Sequence, residues 1–323
     1  TKLNSISTGP MRVALNAAPK AQHRGLHPPA LQPIGLHFRC HYWFRTDAFV
    51  EFQEPIPVDA PDVPGAAERL SSGEWVEPPS EQVHYLRDSL FSSLSEVTPD
   101  APDWETYRGW HLIGHIRANL ANKTLPSFKD EVLEARDVRN SLADGQPAED
   151  LLAPSIEAAK ILHDHDLDGR SIEGTNLKTS RMWISGLAGI FLMALAAPIT
   201  IPSTGVQAFF AWYMGDRTDE GIDARTTYHF LAGMFSPVLF WIPIAIATSI
   251  ILIPPSMTSS PINLGLAVII VILIHASNLV FLLGYDCWTD FSNSVRSTRL
   301  ASSEQGKRLH ELIDVVSANL NLL

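Results

Sequence analysis

Two stretches of this chain contain no Asp, Glu, Lys or Arg at all: Met182 to Met214 and Thr226 to Tyr285. Backbone taken into hydrocarbon must satisfy its own N–H and C=O groups, so apolar blocks of this length commit the chain to helices that enter a membrane. Residues 1–181 carry frequent charges of both signs and belong to a different solvent. With 323 residues there is room for a soluble domain beside the membrane segments. The expected location is therefore an integral membrane protein.

A net charge of −11 excludes a nucleic-acid partner, because phosphate binding needs concentrated Lys and Arg and no basic stripe is present. Cys40 and Cys287 flank the apolar blocks and read as free thiols rather than a disulfide framework. The opening TKLNSISTGPMRVALNAAPK has no initiator Met, basic n-region or apolar signal core, and reads as a chain entered in mid-domain.

The first block would be about 50 Å long as one straight helix, against a hydrocarbon core of ~30 Å. Pro198 and Pro202 interrupt it, with Ser203, Thr204 and Gly205 following, so a re-entrant helix–turn–helix is expected over 182–214, with a first membrane span as the alternative. The second block divides at IPPSMTSSP into a transmembrane hairpin within 226–285. Positive residues lie before the first block (Lys178, Arg181), between the blocks (Arg217, Arg225) and after the last (Arg296, Arg299, Lys307, Arg308), with none in Pro254–Pro261. The positive-inside tendency puts only that last loop outside. Residues 286–323 read as a cytoplasmic tail whose stripe Leu309, Leu312, Val316, Leu320 and Leu323 suits a membrane surface.

In the charged part, Thr8-Gly9-Pro10 opens a short helix through Ala17. Leu31 to Phe38 and Ala48 to Phe52 read as strands bounded by prolines. Residues 57–79 form a Pro-rich loop, and 80–181 a helical extension. Within it Val83, Leu86, Leu90, Leu94 and Val97 line one helix face, Asp103 opens a second helix, and two more cover Phe128–Leu142 and Leu151–His163.

Four blocks kept in order, STGPMRVALNA, LQPIGLHF, FRTDAFVEFQEPI and DARTTYHFLAGMFSPVLFW, resemble the C-terminal part of PlsC-type glycerolipid acyltransferases, the larger glycerol-3-phosphate acyltransferase-like members with membrane segments after the catalytic domain. The resemblance implies the later half of an α/β acyltransferase domain over 1–56. It implies transfer of a fatty acyl group from acyl-CoA or acyl carrier protein to glycerol 3-phosphate or 1-acylglycerol 3-phosphate (lysophosphatidic acid), on the cytoplasmic side, with no cofactor or metal. The family's His-x-x-x-x-Asp base and its Pro-Glu-Gly-type motif precede the block matching Thr8 to Ala17. The catalytic motif is therefore expected upstream, with no catalytic residue in these 323 residues and no activity of the chain alone. A non-catalytic membrane adaptor or lipid-binding protein built from the same fold is the alternative.

By the same resemblance Pro33 falls in the strand motif near the acyl site, and Arg39, His41 and Arg45 decorate the following turn. Arginine can hold a phosphate by two hydrogen bonds, and Trp43 and Phe44 suit a membrane interface; solvating and anchoring a turn is the other role open to all of them. His163 and Asp168 in HDHDLD have the literal spacing of the catalytic motif, but they follow the strands instead of preceding them and read as a solvated helix end. His111 and His115 in HLIGH share a helix face without the Glu of a zinc protease. His229 and His275 lie in apolar segments without a carboxylate, which favours neutral hydrogen bonding between helices.

Overall fold

The computed structural model describes residues 2–40, 42–143, 148–172, 179–215, 217, 223–253 and 261–320, which fall into two units. It is 73% helical.

Unit 1 comprises residues 1–39, 47–160 and 311–323. Helix α1 (Gly9–His23) carries Pro10 in its first turn, where the missing N–H costs nothing. Its inner face, Met11, Leu15 and Ala18, is buried with Val58, Val83 and Leu86. Each such aliphatic side chain contributes about 1.5–3 kcal/mol on burial.

The expected strand Leu31–Phe38 is cut in two at Pro33. Having no N–H, Pro33 cannot continue a ladder, so β1 (Ala30–Leu31) and β2 (Ile34–Phe38) pair with different partners. β2 runs antiparallel to β3 (Ala48–Phe52), with Ile34 opposite Phe52 and Leu36 opposite Val50. β1 runs antiparallel to β4 (Ile56–Pro57). These two-stranded pairs are the whole β component among the described residues. Of the expected later half of an α/β domain followed by helical and membrane segments, the described residues show the helices and only these two small antiparallel pairs.

Alternation gives the β2–β3 hairpin two unlike faces. Gly35 and His37 point inward, under α3 (Ser80–Val97), which follows the short α2 (Ala66–Ser71). A Cβ on Gly35 would lie 2.3 Å from the Val97 carbonyl, so only glycine lets the end of α3 sit this close. The other face, Ile34, Leu36, Val50 and Phe52, is 44–67% exposed.

Asp103 caps α4 (Trp104–Leu120), its Oδ1 accepting from the Thr106 amide at 2.7 Å. α4 packs on α5 (Phe128–Ala143), with Gly114 close beneath Glu134 and Ala135; Leu112, Ile113 and Ile116 of α4 and Val132, Ala135 and Val138 of α5 are buried. α6 (Ala148–Asp164) follows.

Unit 2 holds residues 40–46 and 161–310. Among the described residues two helical runs are long and apolar enough to cross a membrane: Ser180–Gly215 and Pro261–Ala301. The first consists of α7 (Thr179–Thr200), a π-helical turn over Ile201–Gly205 and α8 (Val206–Gly215). The non-helical turn expected near Pro198 and Pro202 is replaced by this π turn. One wide turn absorbs the missing proline N–H groups, and within it the Ser203 hydroxyl donates to the Ile199 carbonyl at 2.6 Å. A second proline-bearing π turn, Pro237–Trp241, joins α9 (Asp223–Ser236) to α10 (Ile242–Leu252) with a 43° bend. The two π turns touch, and Trp241 Nε1 donates to Thr204 Oγ1 at 3.0 Å.

α7 lies along α11 (Pro261–Ala301) at backbone contact: a Cβ on Gly189 would come 2.8 Å from the Gly284 carbonyl. Small residues replace the hydrophobic drive that lipid cannot supply. The Ser277 hydroxyl donates to the Ala196 carbonyl at 3.0 Å and lies 3.0 Å from Thr200 Oγ1. The tail differs from the expected surface stripe. Residues 286–301 continue α11, and in α12 (Glu304–Leu320) Leu309, Leu312 and Val316 are buried in protein, because helix faces of this strength find partners within the fold.

Candidate functional site

The inward face of β2, the end of α3, and α4 with α5 enclose a polar cluster in unit 1. Arg39 is the last residue after β2. Its guanidinium donates twice to the Glu131 carboxylate, once at 2.7 Å, donates through Nε to Asp47 Oδ2 at 2.9 Å, and lies 4.8 Å over the Phe128 ring. His115 Nε2 sits 3.2 Å from the other Glu131 oxygen. Burial alone would raise the Glu131 carboxyl, but the hydrogen bonds from His115 and Arg39 prevail and hold it at about 2.

Beside this group, Arg136 forms a two-point pair with Glu51 of β3. Arg139 Nη1 donates to the Thr98 carbonyl at 2.8 Å and to those of Ser95 and Pro99 at 3.4 and 3.3 Å. The helix α3 terminus thus rests on one guanidinium.

His37, Thr98, Tyr107, Trp110, His111, Arg136 and Arg139 line a pocket with a volume of about 20 Å3. The Thr98 and Tyr107 hydroxyls and His111 Nε2 are buried there without a hydrogen-bond partner, whereas His37 lies against the Val97 backbone with its Nε2 4.0 Å from Glu51 Oε2. Burial pushes His111 down to about 3 and, with Arg136, holds His37 below its ordinary value, so both imidazoles are neutral at pH 7. Burial pushes the Tyr107 phenol upward, so it remains an O–H donor.

Of the residues marked in the sequence, Pro33 is buried at the start of β2, its carbonyl accepting the Gln53 amide at 3.1 Å. Arg39 belongs to the buried network, where Glu131 and Asp47 already hold its charge. His41 lies outside the described residues. Arg45, in unit 2, forms a two-point pair with Asp286 of α11, both bonds at 2.7 Å, and Phe44 beside it packs edge-on against Tyr285 and His229. Arg39 and Arg45 therefore serve different units. His163 bonds the Tyr42 hydroxyl and stacks with Trp43, while Asp168 pairs with Arg170. His275 packs on the Trp241 ring.

The pocket residues Tyr107, Arg136 and Arg139 were missed from sequence, where they read as helix faces. One signal was present: Arg136 and Arg139 are spaced i, i+3 on the same helix that carries Glu131. No protein family matches this chain, and no curated protein or solved structure does either.

Proposed function

We propose that this chain is the membrane-bound, downstream part of a glycerolipid acyltransferase acting on glycerol 3-phosphate or its 1-acyl derivative. The supporting observation is the outer face of the β2–β3 hairpin. Ile34, Leu36, Val50 and Phe52 stand exposed as two facing apolar pairs, on strands that end in no wider sheet. A lone hairpin is marginal in water, and an apolar sheet face of this kind fits the rim of a larger α/β sheet that covers it. The helix α1 and hairpin stand in the family's order, and two helices suited to a membrane follow.

In this reading the His-x-x-x-x-Asp base lies outside these 323 residues. The imidazole takes the proton of the acceptor hydroxyl, the oxygen attacks the acyl thioester carbonyl, and the tetrahedral intermediate expels the CoA or carrier-protein thiolate, which receives that proton. The domain works on the cytoplasmic side, where both substrates are supplied.

The test is acyl transfer from labelled acyl thioesters to glycerol 3-phosphate and to 1-acylglycerol 3-phosphate. It compares membranes of the source cells before and after deletion of the coding region for residues 1–323, beside the purified chain. Loss of transfer on deletion with no transfer by the chain alone supports the proposal. Unchanged transfer points to the membrane adaptor, and transfer by the chain alone that disappears in His163→Ala assigns the base to HDHDLD.

A further inference from the structure

We infer that the pocket between α3, α4 and α5 is a binding site for a monatomic anion of chloride size. Its wall supplies donors and no carboxylate: His37, Thr98, Tyr107, Trp110, His111, Arg136 and Arg139 are its polar residues. Three of these, Thr98, Tyr107 and His111, present buried polar atoms that no protein group satisfies. Leaving such atoms unmatched costs about 1–3 kcal/mol each, so several in one place mark a ligand position.

Charge selects the sign of the guest. Glu131 and Glu51 are each neutralised by a two-point arginine pair, with Arg39 and Arg136, and Asp100 acts on Arg139 only through space, beyond salt-bridge distance. Among the described residues Arg139 has no carboxylate within salt-bridge distance; its partners are three backbone carbonyls and the Asn140 side chain. Its positive charge is therefore balanced by nothing in the pocket wall. Tyr107 and Thr98 can each turn an O–H inward, and the neutral His111 imidazole can supply one N–H.

Size selects the kind of anion. A volume of about 20 Å3 suffices for one water-sized guest, for which roughly 10–15 Å3 is the minimum. It is too small for a five-atom phosphate or sulfate, so the guest is a halide held by hydroxyl, imidazole and guanidinium donors. The site is independent of acyl transfer: a chain with no transferase role would still bind the ion, and a transferase could lack it.

The experiment uses the full chain in detergent, with thermal unfolding followed in sodium chloride, bromide, sulfate and gluconate at matched ionic strength. Chloride and bromide should raise the midpoint saturably, by about 2–4 °C, over sulfate and gluconate. Tyr107→Phe removes one O–H and no packing, and should weaken the apparent halide affinity about fivefold or more while its gluconate midpoint stays near that of the parent chain. Arg139→Gln should abolish the halide effect. Bromide anomalous scattering in crystals of the full chain should place the ion beside the Tyr107 hydroxyl. Equal midpoints in all four salts, or a halide effect undiminished in Tyr107→Phe, overturns the assignment and leaves water as the guest.

Discussion

Arg39 and Glu131, 92 residues apart in sequence, meet in a two-point hydrogen-bonded pair whose side chains are only 8% and 3% exposed. The pair ties the end of strand β2 to the first turn of α5. Breaking it from one side leaves an uncompensated buried charge, at about 3–5 kcal/mol. Arg39→Ala should therefore destabilise unit 1 by that amount, measured by pulse proteolysis of the full chain in urea. The double variant Arg39→Met with Glu131→Leu should recover much of the loss. A cost below ~1 kcal/mol for Arg39→Ala would show that water reaches Glu131.

Acid should weaken unit 1 earlier than ordinary carboxylates would. His111 is held at about 3, below its unfolded value of 6.5, so its neutral form is retained in the fold. Above pH 6.5 it contributes no pH dependence; as pH falls below 6.5 the unfolded chain gains a proton that the folded chain refuses, and stability falls by up to ~1.4 kcal/mol per pH unit. Glu131, held at about 2 against 4.5, adds its loss only as pH falls below 4.5. Amide hydrogen exchange of α4 and α5 should show stability declining between pH 6.5 and 5, and His111→Asn should flatten much of that upper slope. A level profile down to pH 5 in the parent chain contradicts the burial of His111.

Arg45 adopts φ 56°, in the left-handed region, while its side chain pairs with Asp286 at about 40% exposure. Such a backbone costs a non-glycine residue roughly 1 kcal/mol, and an exposed pair is worth about 0–1 kcal/mol. Arg45→Ala loses the pair and keeps the strain, whereas Arg45→Gly loses the pair and relieves the strain. The glycine variant should be the more stable by about 1 kcal/mol in thermal unfolding. Equal stabilities would mean that the turn changes conformation once the pair is gone.

Local pattern explains what was legible beforehand. Three- and four-residue spacing marked the buried face of α3, Asp103 marked the start of α4, and alternation with flanking prolines marked the β2–β3 hairpin. The apolar blocks announced helices because composition alone decides that in hydrocarbon. What stayed hidden depends on partners distant in the chain. Arg39 read as a turn residue and Glu131 only as a position in the Phe128–Leu142 helix, since nothing local says that the two meet. His111 and His115 read as one polar face, yet one bonds Glu131 through neither spacing nor motif. Pro198 and Pro202 were read as a turn because a proline removes a donor; that a π turn would absorb the loss is a matter of packing.

Acyl transfer by the complete protein carrying Phe52→Asp tests most directly whether the exposed hairpin face is the rim of a catalytic sheet. In the purified chain this side chain is 67% exposed, so the substitution should change its stability by no more than about 0.5 kcal/mol. In the complete protein the same change buries a carboxylate against an apolar layer, and transfer of labelled acyl groups to glycerol 3-phosphate should fall more than about tenfold at unchanged membrane content. Transfer at the parent rate, with the variant equally abundant in membranes, would contradict the acyltransferase reading of this hairpin.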